Sequence, residues 1–185
     1  MALFSNMPRA IVLLLLLILS TPFIHKTKNL AVADFKLIQN LCHNSESPET
    51  CMRCVQSSKD AEKSNSVGIA IIIVGCINDK AKTLALNITQ LASTISDPNM
   101  KFLCQRCVDA YGKFIAKKML ISAKQALQNH KYDNAESFVV KALKIDTTCH
   151  EYFKSYQNKV PSEIFYDMNM YEELSEAACR IIEKL

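Results

Sequence analysis

The chain is short of the residues that reverse strands. Its 185 residues include 3 glycines, 5 prolines and no tryptophan. Hairpins need glycine at regular intervals, so this scarcity argues against a sheet-rich fold. Low-complexity tails are missing too, because the polar stretches are all short. The apolar run Ile11 to Leu19 falls well short of the ~20 residues that cross a bilayer. With Arg9 ahead of it, that run suits a secretory signal peptide. Ala31-Val32-Ala33 supplies a small-x-small cleavage site before Asp34. Residues 1–33 therefore read as a leader and 34–185 as one folded domain. Cleavage nearer Ser20 and an uncleaved anchor are the alternatives. Removing the leader takes away Arg9, Lys26 and Lys28 and no acid, so the formal charge falls from +4 to +1. A sum so near zero gives no sign of a nucleic-acid surface, which needs a clustered basic face. Catalytic groupings are also lacking. The histidines are scattered, and no serine or cysteine has a local activating context. No cofactor or metal is implied.

What the chain does have is helical periodicity. Asp34 to Cys42 is a short amphipathic segment, followed by a polar turn. Pro48 then opens a second short helix, Glu49 to Ser57, and the two make a helical hairpin. From about Asn65 to Ile95, Ala70, Ile77, Leu84 and Leu91 repeat every seven residues. Val74, Ala81, Ile88 and Ile95 follow in step, giving one apolar face. Asp97-Pro98 starts a central rod, Asn99 to Asn129, with Leu103, Cys107, Ala110, Phe114 and Ile121 facing inward. A third long helix runs from Tyr132 to Ile145, is interrupted at Asp146-Thr147-Thr148, and resumes for a turn or two. Met168 to Leu185 forms the last. The sum is an all-α, up-down-up-down four-helix bundle with an N-terminal helical hairpin.

Eight cysteines behind a signal peptide imply disulfides. They permit on the order of a hundred connectivities. Cys76 and Cys104 differ by roughly 20 Å in height on their helices, too far for Cα atoms that must lie within ~7 Å. Cys107 and Cys149 differ by only about 6 Å on adjacent antiparallel helices, so that pair is feasible. The two Cys-x-x-Cys units, Cys51–Cys54 and Cys104–Cys107, lie on helices about 50 residues apart, against the ~15–20 of a zinc ribbon. Without a βαβ context they do not suggest a thioredoxin-like site either. His43 and His150 each follow a cysteine and read as surface residues. Asn87-Ile88-Thr89 is a glycosylation sequon placed mid-helix, with Asn87 outward. Adjacent Cys-Cys and Cys-x-Cys units, usual in eight-cysteine lipid carriers, do not occur.

Leu37-Ile38-x-x-Leu41-Cys42 followed by Pro48-x-x-Cys51 resembles the N-terminal hairpin of the plant invertase and pectin methylesterase inhibitors. Cys107-x-x-x-Tyr111, Tyr132-Asp133-Asn134-Ala135-Glu136, Thr148-Cys149-x-x-x-Phe153 and Glu172-Glu173-Leu174 are similar to that family's later helices, in the same order. The resemblance implies a protruding hairpin and bridges Cys42–Cys51 and Cys107–Cys149, contributing roughly 2.5 and 4 kcal/mol by loop entropy. Cys54, Cys76, Cys104 and Cys179 depart from the family's pattern. A third bridge between Cys76 and Cys179, at similar heights, and two buried thiols are the alternatives.

The family resemblance also implies a function. Such proteins are secreted to the apoplast and cell wall, or reach the vacuole. They bind acid invertase or pectin methylesterase one to one and obstruct its substrate cleft, without being enzymes themselves. A non-inhibitory helical interaction module of the same fold is the alternative. Invertase inhibitors insert a Pro-Lys-Phe loop before the third bundle helix. Here that position reads His130-Lys131-Tyr132, which keeps a cation before an aromatic and tilts the reading toward invertase.

Overall fold

The computed structural model describes residues 27–185, with side chains from Phe35 onward. Residues 1–26 of the expected leader lie outside the described residues, and 27–33 form the start of the first helix. Every regular element described is helical. Helices α1 (Thr27–His43) and α2 (Pro48–Gln56) make the hairpin. A short 3₁₀ turn, Ala61–Lys63, leads into α3 (Ser66–Thr94). The rod comprises α4 (Pro98–Asp109), a π-helical segment (Ala110–Met119) and α5 (Leu120–Gln128). Helices α6 (Tyr132–Lys154) and α7 (Ser162–Ile182) complete the bundle. The rod packs on α3 and α6, and α7 packs on the other sides of the same two helices. This is the up-down-up-down arrangement, with α2 laid across α3 and α7.

Local chemistry sets the helix starts. The Asn65 side chain accepts from the Gly68 amide (2.9 Å), capping α3. A Cβ on Gly68 would come within 2.9 Å of Ser64 Cβ, so this first turn needs glycine. Asp97 accepts from the Asn99 and Met100 amides (3.0 and 3.3 Å), and Pro98 supplies the rod's first helical residue. The Met100 amide first, then Lys159 at 3.2 Å, hold the Asp97 carboxyl below its ordinary range. The heptad stripe of α3 is buried, with Ile77, Leu84 and Ile88 fully enclosed. Each such side chain contributes about 1.5–3 kcal/mol.

Three expectations are corrected. Phe114 and Ile121 are 52% and 47% exposed rather than inward. The π segment takes an extra residue per turn, so the inward face passes through Tyr111, Ile115 and Ala116 and re-emerges at Leu120, Ala123 and Leu127. Asn78 of α3 braces this widened stretch. With its amide oriented to suit its neighbours, Nδ2 donates to the Ala116 carbonyl and the oxygen accepts from Lys82 Nζ, both at 2.9 Å. Helix α6 is unbroken through Asp146-Thr147-Thr148. The two threonine hydroxyls donate to the Leu143 and Lys144 carbonyls (3.0 and 2.9 Å), and Asp146 is turned into the core, so none of the three competes with the helix. Helix α7 starts at Ser162, not Met168, because Ile164 already belongs to the buried stripe that continues through Met168 and Tyr171.

Three disulfides are formed. Cys42 joins Cys51 within the hairpin (Cα–Cα 5.5 Å), and Cys107 joins Cys149 between rod and α6 (5.8 Å). Cys76 bonds to Cys54 (6.2 Å), not to Cys179, because α2 lies over α3 at that height. Cys104 and Cys179 stay free. The hairpin is therefore tied down, and Thr50 Oγ1 adds a hydrogen bond to Glu173 Oε2 of α7 (2.6 Å). Peptide mapping without reduction should recover these three pairs and two thiols. A Cys54→Ser, Cys76→Ser variant should lose roughly 3 kcal/mol. A thermal midpoint equal to that of the wild type would show that the bridge adds nothing.

Candidate functional site

The reversal between α5 and α6 brings His130, Lys131 and Tyr132 together at one tip of the bundle. The chain ends α5 in a Schellman turn. The His130 amide donates to the Leu127 carbonyl (3.1 Å) and the Lys131 amide to the Ala126 carbonyl (2.9 Å). This places His130 at φ 55°, the left-handed position glycine normally takes. Its Nδ1 lies 2.7 Å from the Tyr132 hydroxyl, and the two rings meet edge-on at 5.9 Å. Tyr132 is half-buried as the first residue of α6, whereas Lys131 is exposed and forms no ion pair among the described residues. The tip thus presents one free cation beside two rings that fix each other.

A second constellation lies inside the bundle, and sequence reasoning missed it. Tyr111 donates its hydroxyl to Asp146 Oδ1 (2.5 Å), and both residues are fully buried. The other Asp146 oxygen has no donor, and the Glu172 carboxyl of α7 lies close enough to raise the Asp146 carboxyl. Glu172 Oε1 in turn lies 2.9 Å from His150 Nδ1. His150 is not a surface residue: its side chain is 15% exposed and lies against the Phe165 ring. Burial pushes the Asp146 carboxyl up to about 8, with Glu172 adding to the rise and the Tyr111 hydrogen bond opposing it. A second carboxyl pair joins hairpin to bundle, where burial and then Glu46 raise Glu176 above the ordinary range. Such pairs hold protons. Asp146 itself is fully enclosed and has no route to a substrate.

Elsewhere the candidates are occupied or inert. Asn87 faces α7 rather than solvent, and its Nδ2 donates to Asp167 Oδ2 (3.0 Å) while Lys80 holds the other oxygen (2.8 Å). Burial raises both free thiols, Cys179 to about 12, so neither is a ready nucleophile. Among the described residues no three metal-ligating side chains gather, and no helix is long and apolar enough to cross a membrane. A groove of about 360 Å³ runs between rod and α6, lined by Arg106, Asp109, Phe114, Thr148 and Tyr152 beside the Cys107–Cys149 bridge.

Two measurements follow from this geometry. Asp146 binds its proton more tightly folded than unfolded, where it titrates near 3.8. Its contribution to stability is therefore complete below about pH 4 and is lost as pH rises through about 8. The denaturation midpoint should fall across that window, and in Asp146→Asn the fall should flatten. An unchanged slope would mean the carboxyl is ionised throughout. At the tip, His130→Gly should be neutral or stabilise by up to about 1 kcal/mol, since glycine takes φ > 0 without strain. A clear loss would show that the His130–Tyr132 contact outweighs the backbone cost.

Comparison with known proteins accords with this geometry. Residues 36–181 match the family described as plant invertase/pectin methylesterase inhibitor. A pectinesterase inhibitor of Actinidia deliciosa is 23% identical over 132 residues, covering 71% of this chain and 70% of its own. The crystal structure of a mutant form of a pectin methylesterase inhibitor from Arabidopsis superposes with a TM-score of 0.68 at 19% identity, covering 80% of this chain and 96% of that one. Another crystal structure, of a pectin methylesterase inhibitor from Arabidopsis thaliana, gives 0.56 at 17% identity over 80% and 95%. With the match spanning the hairpin and all four bundle helices, this chain belongs to the plant invertase/pectin methylesterase inhibitor family, a family of enzyme inhibitors rather than enzymes.

Proposed function

We propose that the protein is a secreted inhibitor of a plant cell-wall carbohydrate enzyme, pectin methylesterase before invertase, and that it acts by covering the substrate cleft in a one-to-one complex. The observation that carries this reading is the family match over residues 36–181, with relatives whose names specify pectin methylesterase. Physical character supports it. A surface held by three disulfides loses little freedom on binding, so more of its contact energy appears as affinity. The expected site of action is the apoplast, where an oxidising milieu preserves the bridges.

Invertase is the second reading, and it rests on Lys131. Tyr132 is half-buried and its hydroxyl is engaged by His130, so the exposed lysine is what most distinguishes this tip. Purified protein should inhibit pectin methylesterase at mildly acidic pH. A Lys131→Ala, Tyr132→Ala variant tests the tip: a tenfold or greater loss of invertase inhibition, with none against pectin methylesterase, would move the assignment to invertase. Inhibition of neither enzyme by the wild type would sink the inhibitor reading and leave a non-inhibitory module.

A further inference from the structure

The formal charge of +1 over residues 34–185 hides a segregation. Between Pro98 and Gln128 the rod carries Lys101, Arg106, Lys113, Lys117, Lys118 and Lys124 against a single acid, Asp109. All six basic residues are exposed. Lys113 neutralises Asp109 at 2.9 Å, and among the described residues the other five form no ion pair. Helix α7, on the opposite side of the bundle, has the reverse balance, with Glu163, Asp167, Glu172, Glu173 and Glu176 against Arg180. Positive charge is therefore concentrated on the rod rather than on α7.

Apolar surface is exposed on the same rod. Phe102, Phe114 and Ile121 are 61%, 52% and 47% exposed, and the Arg106 guanidinium lies over the Phe102 ring at 5.7 Å. In the groove toward α6, Arg106 stands beside Phe114 and Tyr152. A planar guanidinium pairs with a carboxylate through two parallel hydrogen bonds. Flat side chains beside it match the C–H face of a sugar ring.

We propose that this face binds a linear polyuronate, the polycarboxylate that remains when pectin loses its methyl esters. One uronate unit sits in the groove with its carboxylate on Arg106, and neighbouring carboxylates lie along Lys117, Lys118 and Lys124. The inference takes the identity of the polyanion from the inhibitor reading. The chain would be held where de-esterification has already occurred, which places the inhibitor beside its enzyme. Such contacts, being exposed, weaken with salt.

Co-sedimentation of the full chain with polygalacturonate, and with pectin of near-complete methyl esterification, tests this. Retention is expected on the first alone and should decline as salt rises. A Lys117→Gln, Lys118→Gln, Lys124→Gln variant should bind at least tenfold more weakly, and Arg106→Gln should also weaken binding. A Lys36→Gln, Lys59→Gln, Lys63→Gln variant loses the same charge from the hairpin side and should bind normally. Equal weakening of the two triple variants, or equal retention on esterified pectin, overturns the proposal. So does a rod variant that loses inhibition of pectin methylesterase while keeping its polyuronate affinity, since the face would then belong to the enzyme. Retention of a wild type that inhibits no enzyme would refute the inhibitor reading instead.

Discussion

The Tyr111–Asp146 hydrogen bond is the contact on which the register of the bundle depends. It lies one turn from the Cys107–Cys149 bridge, so rod and α6 are pinned at two successive levels. The covalent link fixes the distance between the helices and the hydrogen bond fixes their sliding and rotation. A shift of either helix would strand a buried hydroxyl and a buried carboxyl, at a cost of about 1–3 kcal/mol for each group left unpaired. The same level also holds the edge-on contact of the Tyr111 and Tyr171 rings at 6.0 Å, which carries the constraint across to α7.

That constraint explains what the rod shows to solvent. Tyr111 must face α6 at the start of the π segment, while Leu120 and Leu127 must face the core beyond it. A regular helix with 3.6 residues per turn cannot keep both sets inward, and the wider turns between them absorb the difference. Their by-product is an outer face on which Phe114 and Ile121 stand between lysines.

Much of this was legible in the sequence. The seven-residue repeat from Ala70 to Leu91 determined α3, because an unbroken period leaves one choice of buried face. The up-down order followed from the reversals at Asp97-Pro98 and His130. Other parts were not legible. Propensity marks Asp146, Thr147 and Thr148 as helix breakers, since it cannot register a tertiary partner for the Asp146 carboxyl. The π segment has no compositional signature, so a 3.6-residue count misplaced Phe114 and Ile121 in the rod. Heights along the helices could not pair Cys76 with Cys54, because the angle at which the hairpin crosses the bundle is set by tertiary packing. At the tip, His130-Lys131-Tyr132 was visible as a triplet, whereas the left-handed turn that orients it shows no glycine to announce it.

The third disulfide has a consequence for how copies of this chain can meet. A helical hairpin joined to a bundle by a short linker is the kind of element that neighbouring molecules exchange, since the swapped contacts are identical to the native ones. Exchange requires the arm to leave its own bundle. Here the bond from Cys54 to Cys76 bypasses the linker from Ser57 to Asn65 and closes the arm onto α3 of the same polypeptide. While that bond is oxidised, the arm cannot be lent to another molecule, and only a reducing step would make the chain capable of trading it.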